Sequence, residues 1–92
     1  INVGGVKVFP MEVESVIDAH PSVVASRVHA QSDDRLGEQV HADIQLKPST
    51  DPATATEALA AWCAERLAPL KRPAGYTMVE KLAMTASGKV VR

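Results

Sequence analysis

The sequence predicts an α+β domain: a small three-stranded sheet backed by two helices, with an N-terminal β-hairpin before it and a lysine-bearing C-terminal loop after it. Three observations carry this expectation. Apolar and polar residues alternate from Val40 to Leu46, apolar residues recur at helical spacing in two other segments, and glycine and proline punctuate the runs between them. With 92 residues the chain is one domain, residues 1–92, able to bury a core but not a large active site. Any catalysis is therefore expected to need a partner surface.

Each element follows from local chemistry. Ile1 and Val3, then Val6 and Val8, flank Gly4-Gly5, a pattern for a short hairpin whose turn uses glycine for positive φ or close backbone approach. Pro10 suits the first position of a helix, Glu12 and Glu14 complement its N-terminal dipole, and Val13, Val16 and Ile17 share one face. His20-Pro21 ends it, because the residue before a proline is pushed out of the α region. Val23 to Ala30 reads as a strand and Gln31 to Arg35 as a polar loop leading to Gly37-Glu38. Val40, Ala42, Ile44 and Leu46 then form one face of a half-buried strand that ends at Lys47-Pro48. Thr54 and Glu57 read as a capping box for a helix whose apolar face is Leu59, Trp62, Cys63 and Leu67, stopped by Pro69. Tyr76 to Val79 supplies the third strand. Leu82 to Arg92 is rich in small and basic residues, with no core pattern beyond Val90 and Val91, so packing alone does not explain it.

Composition excludes several classes. A hydrophobic fraction of 46% and a charged fraction of 23% fit a globular domain, without the apolar deficit of a disordered chain or the long apolar run of a transmembrane helix. A net charge of -1 with dispersed basic residues gives no footprint for nucleic acid. The single cysteine, Cys63, cannot form an internal disulfide, which favours a reducing, cytoplasmic setting. The chain opens in an apparent strand with no initiator methionine or signal peptide, and is expected to be an excised piece of something longer.

The strongest chemical signal is Thr85-Ala86-Ser87-Gly88-Lys89-Val90-Val91-Arg92, a glycine-hinged lysine flanked by hydroxyl residues. Such a lysine offers a compact positive charge to phosphate or carboxylate oxygens; taken alone, Ser-Gly-Lys is a common tripeptide and reads first as a solvated surface loop. It is not a phosphate-binding P-loop, because the earlier glycine of that motif is missing. Lys71-Arg72-Pro73 reads as a basic helix stop favoured by the helix dipole. Glu12 and Glu14 lie two positions apart and cannot form a carboxylate pair on a helix. His20, His29 and His41 lack metal-ligand spacing, so turn, strand and solvent roles are expected and no protein-bound metal. Trp62 is expected in the core.

Taken in order, Gly4-Gly5-Val6-Lys7-Val8-Phe9-Pro10-Met11-Glu12-Val13-Glu14, His20-Pro21, Gly37-Glu38, Trp62-Cys63 to Leu67, Lys71-Arg72-Pro73 and Thr85 to Arg92 make the chain resemble one family over its whole length. That family is the C-terminal lid domain of the adenylate-forming, AMP-binding superfamily. The Gly4 to Pro10 wording is closer to its acyl-CoA synthetases than to its peptide-synthetase domains. The resemblance implies an acid–thiol ligase that uses ATP to make acyl-AMP and pyrophosphate, after which a thiol, here CoA, displaces AMP. It also implies an N-terminal AMP-binding domain of the same polypeptide that holds the ATP, its Mg2+ and the carboxylate, so the isolated lid is expected to be inactive. The acyl pocket would lie in that other domain, which leaves fatty, aromatic and sterol-side-chain acids open.

By the same resemblance Lys89 is the catalytic lysine of the first step, supported by Thr85, Ser87 and Gly88 in its loop. Gly4 and Gly5 would line the pantetheine tunnel in the second step, and Lys71 and Arg72 would lie near the CoA nucleotide. Two departures from the family pattern stand out. Ala83-Met84 replaces a proline and a polar or basic residue common in relatives, and Leu36 and Leu70 are aliphatic where some relatives stack aromatics on adenine. Two other readings fit the same residues: the lid of a carrier-protein-dependent adenylation domain, and a non-catalytic interaction module of this fold.

Overall fold

A computed structural model describes residues 1–91; Arg92, the last residue of the lysine segment, lies outside the described residues. The hairpin forms as the sequence predicts, from β1 (Asn2–Val3) and β2 (Val6–Lys7). Gly4 and Gly5 turn it with φ of 54° and 88°, values that suit glycine in a two-residue hairpin loop. The hairpin does not stand apart from the sheet. Val3 pairs with Gly37, the Gly4 amide donates to the Leu36 carbonyl at 3.0 Å, and the Asn2 amide donates to Glu38 Oε1 at 2.9 Å. The sheet therefore has five strands rather than three.

Helix α1 (Pro10–Asp18) carries Pro10 in its first turn and buries Val13 and Ile17. It packs along β3 (Val23–Asp33), which pairs antiparallel with β4 (Gly37–Leu46). Strand β5 (Gly75–Val79) runs parallel to β4 from His41↔Gly75 to Gln45↔Val79. β4 is thus the central strand, with β3 along one edge and β1 and β5 sharing the other. An outer N–H of β3, that of Val28, donates to Glu14 Oε2 at 2.7 Å, and Ser26 Oγ donates to Asp18 Oδ1 at 2.7 Å. The α1 carboxylates thereby cover an edge that would otherwise be open to pairing. Glu14 has this role in addition to the dipole role its position suggests.

Helix α2 (Pro52–Arg66) lies beside α1 and buries Ala55, Leu59 and Cys63. Val28, Val40, Ala42 and Ile44 bring the sheet into the same core as Val13, Ile17, Leu59 and Cys63. Trp62 is only half-buried, because it clamps one helix to the other: its Nε1 donates to the Val16 carbonyl at 2.7 Å, with the Arg66 guanidinium 3.4 Å above the ring. A short 3-10 turn, Pro69–Lys71, leads on to β5. No helix among the described residues is long and apolar enough to cross a membrane.

Three further features depart from the sequence expectation. β3 continues through Gln31, Ser32 and Asp33, which pair with Gln39, Glu38 and Gly37 as a polar ribbon with no apolar face to betray it. Leu82 is buried, and its amide donates to Gln45 Oε1 at 2.9 Å, so the tail is anchored before the lysine loop begins. The cap of α2 is Asp51 rather than Thr54: Asp51 Oδ2 accepts from the Thr54 amide at 3.0 Å and from its hydroxyl at 2.7 Å, with Pro52 filling the first helical position.

Those two bonds hold the Asp51 carboxyl below its ordinary value of 3.8. A folded-state value below the unfolded one means that the cap contributes fully above that range and loses its contribution as pH falls through the lowered value. Asp51→Ala is expected to lower the thermal midpoint at pH 7, with the gap from the parent closing in acid as pH falls below the ordinary aspartate range, whereas Asp51→Asn keeps a cap at both pH values. Circular-dichroism melts at the two pH values test this; a gap that does not change with pH would mean the carboxylate is not the cap.

Candidate active site

The lysine loop is built on two antiparallel arms. The Val91 amide donates to the Ala83 carbonyl at 2.8 Å, Met84 bridges Val90, and the Thr85 amide donates to the Lys89 carbonyl at 2.6 Å. Between the arms the Gly88 amide closes a reverse turn on the Thr85 carbonyl at 2.9 Å, with Gly88 at φ 84°. A turn followed by a left-handed glycine is the usual three-residue hairpin loop. Thr85 is its hub, since its Oγ1 accepts from the Lys89 amide at 3.1 Å and lies 3.0 Å from Ser87 Oγ. Gly88 supplies a left-handed backbone for this closed turn, and a Cβ there would meet nothing within 4 Å.

Lys89 sits at the end of this turn, exposed, and no side chain among the described residues pairs with its ammonium. Gly88, Lys89 and Val90 line one side of a groove of about 460 Å³, with Met11 and Asp18 from α1, Val24 and Ala25 from β3, and Met84 completing it. Burial pushes the Asp18 carboxyl above its ordinary value, opposed by the Ser26 hydrogen bond. Met11, Val24 and Met84 are apolar and exposed, so a positive charge rises from an apolar rim.

The other predicted residues gather elsewhere. The Gly4 turn packs on Leu36, where a Cβ on Gly4 would lie 3.2 Å from Leu36 Cδ2. Leu36 and Val3 line a pocket of about 190 Å³ with Leu70, Arg72, Pro73 and Ala74. The structure therefore joins the glycine turn, Leu36, Leu70 and Arg72, which the sequence could only name separately. Arg72 is turned inward, with Nε donating to the Leu67 carbonyl at 2.9 Å and Nη2 to the Ala64 carbonyl at 2.8 Å, so it closes the end of α2. Lys71 Nζ lies 2.9 Å from Glu12 Oε1, tying the 3-10 turn to α1.

Val24 and Ala25 stand at the start of β3, and Leu36 stands beyond its end. From Ala25 to Asp33, which pairs with Gly37 beside the glycine turn, the strand spans ~26 Å at ~3.3 Å per residue, and the pocket's lining reaches back to Val40, paired with Ala30, ~17 Å from Ala25. The two constellations occupy opposite ends of the sheet and share no lining residue.

Sequence reasoning missed one cluster entirely. On the face of the sheet away from the helices, His29 pairs with His41 in register, and Asp43 follows two residues later. The spacing of the two histidines along the chain gives no hint of this. The hairpin register brings them together, and it becomes readable only once the turn around Arg35 is known.

The family model described as the AMP-binding enzyme C-terminal domain matches residues 12–89. A 2-succinylbenzoate–CoA ligase from Bacillus velezensis is 38% identical over 89 residues, 97% of this chain and 18% of that protein. The fatty acid–[acyl-carrier-protein] ligase ScoC from Streptomyces coeruleorubidus is 35% identical over 92 residues, 100% of this chain and 17% of that protein. Among solved structures, the anthranilate CoA ligase AuaEII in complex with anthranoyl-AMP superposes with a TM-score of 0.87 at 35% identity, over 98% of this chain and 18% of that one. The chain thus spans less than a fifth of the length of these relatives.

Proposed function

The chain belongs to the AMP-binding enzyme C-terminal domain family, and from that premise we propose that it is the mobile lid of an ATP-dependent acid–CoA ligase whose N-terminal domain binds ATP and the acid. In the first step a carboxylate oxygen bonds to the α-phosphorus of ATP and the bond to pyrophosphate breaks. Lys89 neutralises the charge shared by the carboxylate and the phosphoryl oxygens as that bond forms. Mg2+ enters with ATP as part of the substrate. In the second step a thiol sulfur attacks the acyl carbon and AMP leaves, with the Gly4-Gly5 turn lining the thiol's approach and Lys71 and Arg72 near the CoA nucleotide.

The observation that carries this reading is the separation of the two constellations. A domain with its lysine groove at one end of a sheet and its glycine turn at the other, ~26 Å away along β3, offers only one of them to a given active site at a time. A rotation between steps exchanges them, and removing Lys89 makes room for the thiol. Lys71 is paired with Glu12 and Arg72 Nε and Nη2 with the Leu67 and Ala64 carbonyls, so a CoA phosphate would meet the remaining donors of each, Arg72 Nη1 among them.

The similarity to ScoC, over the whole of this chain, supports a second reading in which the acceptor is the pantetheine arm of a carrier protein. One experiment on the full-length protein separates the two. ATP–pyrophosphate exchange over a panel of carboxylates finds the acid, and free CoA and a pantetheine-loaded carrier protein are then offered as acceptors. Saturable thioester formation with free CoA is the expected result; turnover with the carrier alone selects the second reading. A folded protein with no exchange on any carboxylate overturns both.

A further inference from the structure

We propose that His29, His41 and Asp43 form a binding site for a divalent transition-metal ion of the zinc type on the open face of the sheet. The proposal does not depend on the ligase reading. His29 on β3 and His41 on β4 are a directly opposed cross-strand pair, and Asp43 is the next residue of β4 on the same face. One ligand atom from each of the three lies within 4.8 Å of the others. His29 Nε2 is 3.3 Å from Asp43 Oδ2, and His41 Nε2 is 3.9 Å from Asp43 Oδ1. Ligand atoms held ~2.1 Å from a tetrahedral zinc ion lie ~3.4 Å apart; the His29 distance to Oδ2 matches, while the His41 distance is to the other oxygen, Oδ1, so the His41 ring and the carboxylate must draw in from a spread of up to 4.8 Å.

The surroundings orient these groups. With its proton on Nδ1, His29 donates to the Ala30 carbonyl at 3.3 Å and turns a free Nε2 lone pair toward Asp43, the tautomer that metal-ligating histidines adopt. The His41 side chain is only 14% exposed, and its ring rests against Gly75, where a Cβ would come within 3.1 Å of Nδ1. His41 Nε2 also lies 2.7 Å from Thr77 Oγ1. His41 Nδ1 and Arg27 Nε are buried with no hydrogen-bond partner among the described residues, and an ion held by the Nε2 atoms and Asp43 bonds to neither of them. Three protein ligands leave a fourth tetrahedral position for water.

Arg27 Nη2 lies 3.0 Å from Asp43 Oδ2, holding the carboxylate in place and setting a positive charge beside the ion. That charge weakens binding without occupying the two imidazole nitrogens, which makes Arg27→Gln a variant expected to bind more tightly. Cys63 is buried in the core among apolar residues and plays no part.

The test uses the full-length protein, stripped of metal by chelator and titrated with zinc against a chromophoric competitor, with Co2+ as a spectroscopic probe. The parent is expected to hold one zinc equivalent that His29→Gln weakens at least ~10- to 100-fold, the loss that even outer-shell partners cause. The His29 ring is 38% exposed, so this variant is expected to keep the fold, which its metal-free melting curve checks. Tetrahedral Co2+ absorption is expected in the parent and Arg27→Gln and absent in His29→Gln. No zinc bound by the parent, or equal affinity in the parent and a folded His29→Gln, overturns the proposal.

Discussion

Replacing Lys89 by alanine in the full-length protein is expected to slow acyl-adenylate formation by ~100- to 1,000-fold, the usual loss when one preorganised charge or donor is removed from a transition state. The structure makes this a clean substitution. Lys89 is exposed, its ammonium has no partner among the described residues, and its turn is held by the Thr85 hydroxyl and by backbone groups that alanine retains. The melting curve of the variant is therefore expected to match that of the parent. Pyrophosphate exchange is expected to collapse while thioester formation from premade acyl-AMP and CoA persists, because the proposed second step would use the opposite end of the domain. Arginine keeps the charge but presents a rigid planar fork in place of a compact ammonium, so Lys89→Arg is expected to restore only part of the rate. Exchange at the parental rate in Lys89→Ala would remove the lysine from the chemistry and leave the domain with a structural role.

What the sequence disclosed and what it hid divide along a physical line. Elements with one dry face were legible: Val13 and Ile17 of α1, Val40, Ala42 and Ile44 of β4, and the glycine turn between β1 and β2 all appear where periodicity and backbone chemistry put them. Elements stabilised by polar pairing were not. The end of β3 is a polar ribbon, Asp51 caps α2 by a local hydrogen bond that competes with the Thr54 alternative, and Leu82 is a single apolar residue with no period to announce it. The candidate site shows the same division. Lys89 and its neighbours are contiguous in sequence and could be named in advance. The pocket beside Leu36 and Leu70 and the His29–His41–Asp43 cluster depend on strand register, which no single segment encodes.

Leu59→Ala is expected to bring the other large loss, in stability rather than in chemistry. Leu59 is fully buried in α2, in one core with Ile17, Ala42 and Ile44. Truncating a buried leucine costs about 2–5 kcal/mol, the transfer term plus the cavity left when neighbours relax only partly. A 92-residue domain has a total stability of roughly 5–14 kcal/mol, so this one change removes between a seventh and nearly all of it. At about 4–8 °C per kcal/mol, the midpoint of the isolated chain is expected to fall by at least ~8 °C. The functional signature separates the two substitutions. Lys89→Ala is expected to act on one half-reaction at every temperature at which the lid is folded. Leu59→Ala is expected to weaken both half-reactions together, increasingly as the lid unfolds, because the lysine turn and the glycine turn hang from the same sheet. Denaturant unfolding of the chain and half-reaction rates of the full-length variant, measured from 15 to 45 °C, test this. A stability loss under ~1 kcal/mol would mean that α2 does not pack on the sheet through Leu59.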